Sequence, residues 1–196
     1  ADGPLTQESL WSAVARSLTG GERVVAEQGT SFFGIAPHRF PSGSSFIAQP
    51  LWGSIGYSLP AALGAQLADP DTRCVLLIGD GSAQMTIQEL GTFGRHGLRP
   101  IILLVNNAGY TVERAIRGPR ALYNDIATWD WPALPAALGV QGALVRTVAT
   151  ARELDEALDA AHRSPDRLAF IEVLTDIDDV PDQLRRLAEV VGARNA

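Results

Sequence analysis

The sequence predicts an α/β fold: an open, mostly parallel sheet of about six strands with helices on both faces. Three observations lead there. Cys74–Ile78 (CVLLI) and Ile101–Val105 (IILLV) are continuous apolar runs without polar alternation, as strands covered on both faces by helices require. Candidate strands and helices alternate along the chain, the pattern of a doubly wound parallel sheet. Each unusual loop, EQGTS, GDGS and NNAGYTVE, follows a candidate strand, and in open parallel sheets ligands sit beyond the carboxyl ends of the strands.

Taken in order, Leu10, Trp11, Val14, Ala15 and Leu18 recur at helical spacing after Thr6, and Gly20-Gly21 ends that helix. A short strand is expected at Arg23–Ala26, then a small-residue loop over Glu27–Gly34. A Pro/Gly/Ser-rich connection leads to Phe46–Gln49 and an apolar helix from about Ser54 to Leu67. Between the two central strands, Thr86-Ile-Gln-Glu89 has the form of a capping box, in which a hydroxyl and a glutamate satisfy free amides at a helix start. Thr150-Ala-Arg-Glu153 repeats it before a helix to about His162, flanked by strands at Ala143–Val148 and Leu168–Leu174. Val180–Val191 closes the chain as an amphipathic helix.

The 196 residues, 46% apolar and 19% charged, suffice for one substantial core, and we expect one domain over positions 1–196. A net charge of −6 without a Lys/Arg cluster argues against a nucleic-acid partner, which needs concentrated positive charge. Cys74 is the single cysteine and has no internal partner, which fits a reducing compartment. No apolar run reaches the roughly eighteen residues of a membrane span, and ADGPLTQES has neither region of a signal peptide. A soluble, cytoplasmic chain without membrane contact is expected. His38, His96 and His162 have no motif around them.

The loops carry the chemistry. Gly79 and Gly81 permit a turn that brings backbone amides close to a ligand, and the following helix start offers further N–H groups, so the turn can hold phosphate. Asp80 would repel phosphate unless a cation lies between them. Magnesium fits, being held by one or two protein oxygens together with phosphate oxygens and water. Asn107, twenty-seven positions after Asp80, offers a neutral amide oxygen, and Gly109 an unshielded carbonyl. Each motif also has a plainer reading: GDG as a tight turn, NN as a turn or cap, and Glu113 as a surface partner of Arg117 one helical turn on.

GDGS followed by NN resembles the thiamin diphosphate motif of the thiamin-dependent enzymes. NNAGYTVERAIRGPRALYNDIATWDW is similar to the 2-oxo acid decarboxylase branch, and the similarity extends over EQGTSFFG and QPLWGSIGYSLPAALG. The resemblance implies a C-terminal, diphosphate-binding domain of a non-oxidative decarboxylase that converts a 2-oxo acid to an aldehyde and carbon dioxide, with thiamin diphosphate and Mg2+ as cofactors. An aromatic or branched-chain substrate such as indolepyruvate or phenylpyruvate is implied. A carboligase of the acetolactate-synthase or benzoylformate-decarboxylase kind and a non-catalytic nucleotide- or diphosphate-binding module are the alternatives.

Carried over by position, the resemblance makes Asp80, Asn107 and the Gly109 carbonyl the metal ligands. Gly81 and Ser82, with Thr30 and Ser31, contact the diphosphate; Gly53 accepts from the aminopyrimidine, and Ile55 is the wedge that bends the cofactor. Ser54, Gly79, Tyr110, Thr111 and Val112 fall among the cofactor-binding positions. Glu113 is the catalytic, proton-handling carboxyl, and Gln28, Phe32, Val112 and Ile116 surround the substrate side chain. Core packing is a rival role for Phe32, Val112 and Ile116. The resemblance further implies that the site is completed by the N-terminal pyrimidine-binding domain of a full-length partner subunit, in a homodimer or homotetramer. The isolated chain would then be inactive, with a surface of Trp52, Phe32 and Tyr110 partly bare.

Overall fold

The apolar runs at positions 74–78 and 101–105 form the middle of a single sheet. The computed structural model describes residues 3–195. In chain order the elements are α1 (Gln7–Ser17), β1 (Arg23–Ala26), α2 (Thr30–Ile35), β2 (Ser45–Ala48), α3 (Ser58–Ala68), β3 (Cys74–Gly79), α4 (Asp80–Thr86), α5 (Leu90–Arg95), β4 (Ile101–Asn106), α6 (Thr111–Arg117), α7 (Leu134–Ala137), β5 (Leu144–Val148), α8 (Ala151–Arg163), β6 (Ala169–Leu174) and α9 (Asp182–Asn195). The six strands lie in the order β2-β1-β3-β4-β6-β5, and every pairing is parallel.

Two cores follow from the two-residue period of a strand. Val24, Ala26, Val75, Leu77, Ile101, Leu103 and Val105 face one way, against Leu10, Trp11 and Val14 of α1 and Leu154 and Leu158 of α8. The intervening Val25, Leu76, Ile78, Ile102 and Leu104 face the other, against Leu59 and Leu63 of α3 and Leu90 and Phe93 of α5. Helices therefore cover both faces, as the unbroken apolar runs predict. Trp11 anchors the first core; its indole N–H donates to Gln7 Oε1 at 2.7 Å, and its ring fills the space where a Cβ on Gly34 would sit.

The strand order places the site. From β1 the chain moves outward to β2 and returns past β1 to β3, so the loops leaving β1 and β3 diverge and leave a crevice at their carboxyl ends. Among the described residues no helix is long and apolar enough to cross a membrane.

Several boundaries differ from the sequence reading. The expected loop over Glu27–Gly34 turns helical at Thr30. The second apolar helix begins at Ser58 rather than near Ser54, because Gly56, at φ +84°, turns the chain just before it. Thr150 and Glu153 form their capping box, with Glu153 N donating to Thr150 Oγ1 at 3.3 Å. Thr86 and Glu89 do not. α4 runs from Asp80 to Thr86 and a 3-10 turn over Ile87–Glu89 leads into α5, but no side chain caps it, and the Thr86 hydroxyl donates instead to the Gly56 carbonyl at 3.0 Å. A tertiary acceptor has taken the hydroxyl from its local role. Shifts of one residue at the ends of β2, β5 and β6 lie within the usual uncertainty of element ends, whereas α9 starts two residues after Val180 and runs four beyond Val191.

Candidate functional site

Three carboxyl ends, those of β1, β3 and β4, open into one cleft of about 750 Å³. β1 delivers Glu27, which the sequence reading left unassigned. It is buried, and its carboxylate accepts from Gln28 N (2.8 Å), Gly56 N (3.0 Å), Ser58 Oγ (2.7 Å) and Ser58 N (3.4 Å). Burial pushes this carboxyl above the usual carboxylate range, against the opposing pull of those hydrogen bonds. One side chain thus ties the turn that starts α2 to the turn that starts α3. The Tyr57 hydroxyl, donating to the Ala26 carbonyl at 2.6 Å, adds a second tie, and Thr86 holds Gly56 from the far side. Gly53 and Ile55 reach the cleft from this braced turn.

β3 delivers Asp80 as the first residue of α4, so GDGS is the opening turn of a helix rather than a loop ahead of one. Asp80 is 1% exposed; Oδ1 accepts from Gly81 N at 2.8 Å and Oδ2 from Gly109 N at 3.1 Å. Burial pushes its carboxyl up to about 6, opposed by the amides of Gly81, Gly109 and Ala108 and by the charge of Arg114. Gly81 allows a close approach: a Cβ there would lie 2.5 Å from the Tyr110 ring.

β4 delivers two asparagines with different work. Asn106 is structural, its amide donating to Glu172 Oε1 at 2.8 Å while its oxygen accepts from Ala108 N at 3.2 Å. Asn107 is buried and turned to the cleft. Its amide oxygen lies 3.2 Å from Asp80 Oδ1 and 2.9 Å from the Gly109 carbonyl oxygen, so three acceptors face one another. Two arrangements relieve that. Turning the amide over lets its nitrogen donate to both neighbours while its oxygen accepts from the Thr111 hydroxyl at 3.1 Å. A cation between the oxygens does the same without turning the amide. Around an octahedral magnesium ion with ligands at roughly 2.0–2.1 Å, neighbouring oxygens stand about 2.9 Å apart. The set of one carboxylate, one amide oxygen and one carbonyl therefore fits magnesium. Among the described residues there is no group of three or more His, Cys, Asp and Glu that could hold a metal ion.

The remaining walls carry unsatisfied polar atoms. Ser31 is 1% exposed, and neither its Oγ nor the Gln28 Oε1 has a partner in the chain. Both residues line the cleft beside Thr30 and Ser82. Orphaned buried polar atoms of this kind suit a polar ligand.

From α6, Val112 and Glu113 line the cleft with Thr111 at the helix start. Val112 packs close to Gly29, within 3.7 Å of where a Cβ would stand. Glu113 is half-buried and forms no ion pair with the exposed Arg117 among the described residues. The structure thus gathers Gln28, Thr30, Ser31, Gly53, Ile55, Gly79, Asp80, Gly81, Ser82, Asn107, Gly109, Tyr110, Thr111, Val112 and Glu113 around one space. It does not bring in Ser54, Phe32 or Ile116. Ser54 is exposed on the turn outside. Phe32 stacks on Phe46, with centroids 6.4 Å apart, and meets Phe33 edge-on at 5.4 Å. Ile116 is half-buried away from the lining.

Trp52 and Tyr123 line the mouth without having been assigned to the site. Trp52 is 87% exposed and stands beside the exposed Leu51, while Tyr123 adjoins the exposed Leu122. The bare apolar rim is therefore Leu51, Trp52, Leu122 and Tyr123; Phe32 and Tyr110 are half-buried.

Asp80 gives a pH-dependent expectation. The folded state holds its proton more tightly than the unfolded chain, so its contribution to stability is present below 3.8 and is lost as pH rises through about 6. A shift of that size corresponds to roughly 3 kcal/mol at most. In metal-free protein, the melting temperature of Asp80→Asn, which imitates the neutral carboxyl, should gain on the parent as pH rises from about 4 to about 7 and stay level above that. Comparing the two proteins cancels the other titrating groups, including His162, whose imidazole burial holds below its ordinary value. A gap that does not change with pH contradicts the burial effect.

Residues 27–173 match the family model described as thiamine pyrophosphate enzyme, C-terminal TPP binding domain. Over 192 residues the chain is 55% identical to the alpha-keto-acid decarboxylase of Mycobacterium tuberculosis strain H37Rv, covering 98% of this chain and 34% of that relative. It is 58% identical over 188 residues to the alpha-keto-acid decarboxylase of Mycolicibacterium paratuberculosis, covering 96% and 33%. A solved structure, the Rhodococcus jostii RHA1 thiamine diphosphate-dependent 4-hydroxybenzoylformate decarboxylase, superposes with a TM-score of 0.76 at 27% identity, covering 91% of this chain and 34% of that one. The chain spans about a third of the length of these relatives.

Proposed function

The chain belongs to the thiamine pyrophosphate enzymes through their C-terminal TPP binding domain, and from that premise we propose that it is the diphosphate- and magnesium-binding part of a non-oxidative 2-oxo acid decarboxylase. The observation that carries the metal assignment is the convergence of Asp80 Oδ1, the Asn107 amide oxygen and the Gly109 carbonyl. In this reading those three hold magnesium. Gly79, Gly81, Ser82, Thr30 and the unpartnered Ser31 hydroxyl hold the diphosphate. Gly53 and Ile55 orient the pyrimidine end, with Ser54 outside them, and Tyr110, Thr111 and Val112 close the opposite wall.

Thiamin diphosphate, when bound, supplies the electron sink that lets a 2-oxo acid lose carbon dioxide. The chain's own task is to orient that group, exclude water and move protons. Glu113 moves the proton, from a helix whose first turn lines the cleft. Gln28 and Val112 bound the substrate side chain, in this reading that of an aromatic or branched-chain 2-oxo acid. Phe32 and Ile116 lie outside the lining and act on the substrate side chain only indirectly. The names of the mycobacterial relatives support decarboxylation.

The whole of positions 1–196 acts as one domain in this reading. Its exposed rim of Leu51, Trp52, Leu122 and Tyr123 is the face against which the pyrimidine-binding domain of a partner subunit closes, in a cytoplasmic homodimer or homotetramer. Rim residues so apolar and so exposed are typical of a surface meant to be covered.

Melting curves test the proposal. Thiamin diphosphate with Mg2+ should raise the melting temperature, ADP with Mg2+ should not, and EDTA should cancel the gain. The chain alone should release no aldehyde from pyruvate, phenylpyruvate, indolepyruvate or 2-oxoisovalerate, because in this reading the partner's pyrimidine-binding domain supplies the remaining wall of the site. An equal rise with ADP, or turnover by the chain alone near 1 s⁻¹, would reject this reading.

A further inference from the structure

We infer that Arg114 is a positioning residue for the metal site, its guanidinium fixing the Asn107–Gly109 turn so that the amide and carbonyl oxygens meet Asp80. The inference rests on the reading of that cluster as the magnesium site. Arg114 is 5% exposed although it directly follows a cleft residue. Its Nη1 donates to the Asn107 carbonyl at 3.1 Å and to Thr111 Oγ1 at 3.3 Å. Its Nη2 donates to the carbonyls of Ala108 at 2.8 Å and Asn124 at 3.3 Å, and to Asp125 Oδ1 at 2.9 Å. Three backbone carbonyls and two side chains therefore converge on one cation.

The turn needs holding. Ala108 lies at φ +54° and Gly109 at φ +131°, two successive positions in a region that side chains other than glycine's avoid. Gly109 has no alternative, since a Cβ would stand 2.0 Å from the Asn124 carbonyl oxygen. By drawing the Asn107 and Ala108 carbonyls to one side, the guanidinium leaves the Gly109 amide free to donate to Asp80 Oδ2 and its carbonyl beside the Asn107 amide. The Asn124 carbonyl, which also accepts from Tyr110 N at 2.8 Å, ties the segment bearing Tyr123 to the same point. Only a planar fork reaches the Asn107 side and the Asn124 side at once; an ammonium cannot. Asp125, largely exposed, is the least important of the partners.

The test uses the full-length gene product with Arg114→Met, Arg114→Lys and Asp125→Asn. Two affinities are measured by calorimetry: Mg2+ at saturating thiamin diphosphate, and thiamin diphosphate at saturating Mg2+. Arg114→Met should weaken Mg2+ binding by about 10- to 100-fold, the range for losing a group that orients metal ligands. Arg114→Lys should fall between it and the parent, and Asp125→Asn should match the parent. Cofactor affinity at saturating Mg2+ should stay close to parental in all three, a split that general loosening of the fold would not produce. Unchanged Mg2+ affinity in folded Arg114→Met overturns the inference, as does a cofactor affinity that excess Mg2+ does not restore. If Arg114→Met gives no cooperative melt, Arg114→Lys decides, and parental Mg2+ affinity there overturns the inference. A parent that binds thiamin diphosphate without Mg2+ overturns the site reading itself, and the role of Arg114 falls with it.

Discussion

Asp80→Ala is expected to abolish magnesium-dependent binding of thiamin diphosphate while the fold stands. Asp80 is the sole carboxylate in the cluster with the Asn107 amide oxygen and the Gly109 carbonyl, so its removal leaves two neutral oxygens facing a doubly charged cation. The expected loss in affinity is on the order of a hundredfold or more, at or beyond what is lost when a group that merely orients a ligand is removed. Two opposing terms set the effect on folding. The amides of Gly81 and Gly109 lose their acceptor, at about 1–3 kcal/mol for a buried unsatisfied group. Against that, a carboxyl that burial had pushed up to about 6 is no longer held in a poorly solvating site. No apolar core contact is deleted, since Asp80 belongs to neither hydrophobic cluster. Calorimetric titration of the full-length gene product in Mg2+ buffer, beside its melting curve, separates binding from folding. Parental affinity in a folded variant would remove Asp80 from the metal site.

What could be read from the sequence divides by the range of the interaction. The strands at Cys74–Gly79 and Ile101–Asn106 were legible because burial on both faces leaves no polar alternation, a property written in consecutive residues. The Thr150 capping box was legible because both partners lie within one turn. The same pattern at Thr86 misled, because its hydroxyl meets a carbonyl thirty positions away that no local pattern could reveal. Within the site, Asp80 and Asn107 stood out because polar residues among glycines at strand ends are unusual. Glu27 and Arg114 did not. A glutamate and an arginine ordinarily belong to the surface, and their burial makes sense only once Gly56 and Ser58, or Asn107 and Asn124, are seen to converge on them. The apolar candidates were ambiguous for a related reason. Val112 and Phe32 look alike as sequence, but one faces Gly29 and the cleft while the other completes a cluster with Phe33 and Phe46.

Glu113→Gln should keep cofactor binding and lower turnover by on the order of a hundredfold or more, the usual cost of a lost general acid or base. The geometry of α6 separates Glu113 from its neighbour. Successive helical residues are turned by about 100°, so while Arg114 is drawn back onto the carbonyls of Asn107, Ala108 and Asn124, Glu113 is carried to the cleft. The buried guanidinium thus fixes the helix from which the carboxyl projects. Glu113 makes no ion pair with Arg117 among the described residues, so the surface role that its spacing also allowed is not realised. Glutamine keeps the shape and the packing of the first turn and loses the carboxyl's capacity to take up and release a proton. Thiamin diphosphate and Mg2+ affinities should therefore match the parent, while kcat for 2-oxo acids falls in the full-length gene product. Steady-state assays of aldehyde release, coupled to a dehydrogenase and paired with calorimetry on the same preparation, supply both numbers. Turnover near the parental rate would deny Glu113 a part in proton transfer, and loss of cofactor binding would make it a wall of the site.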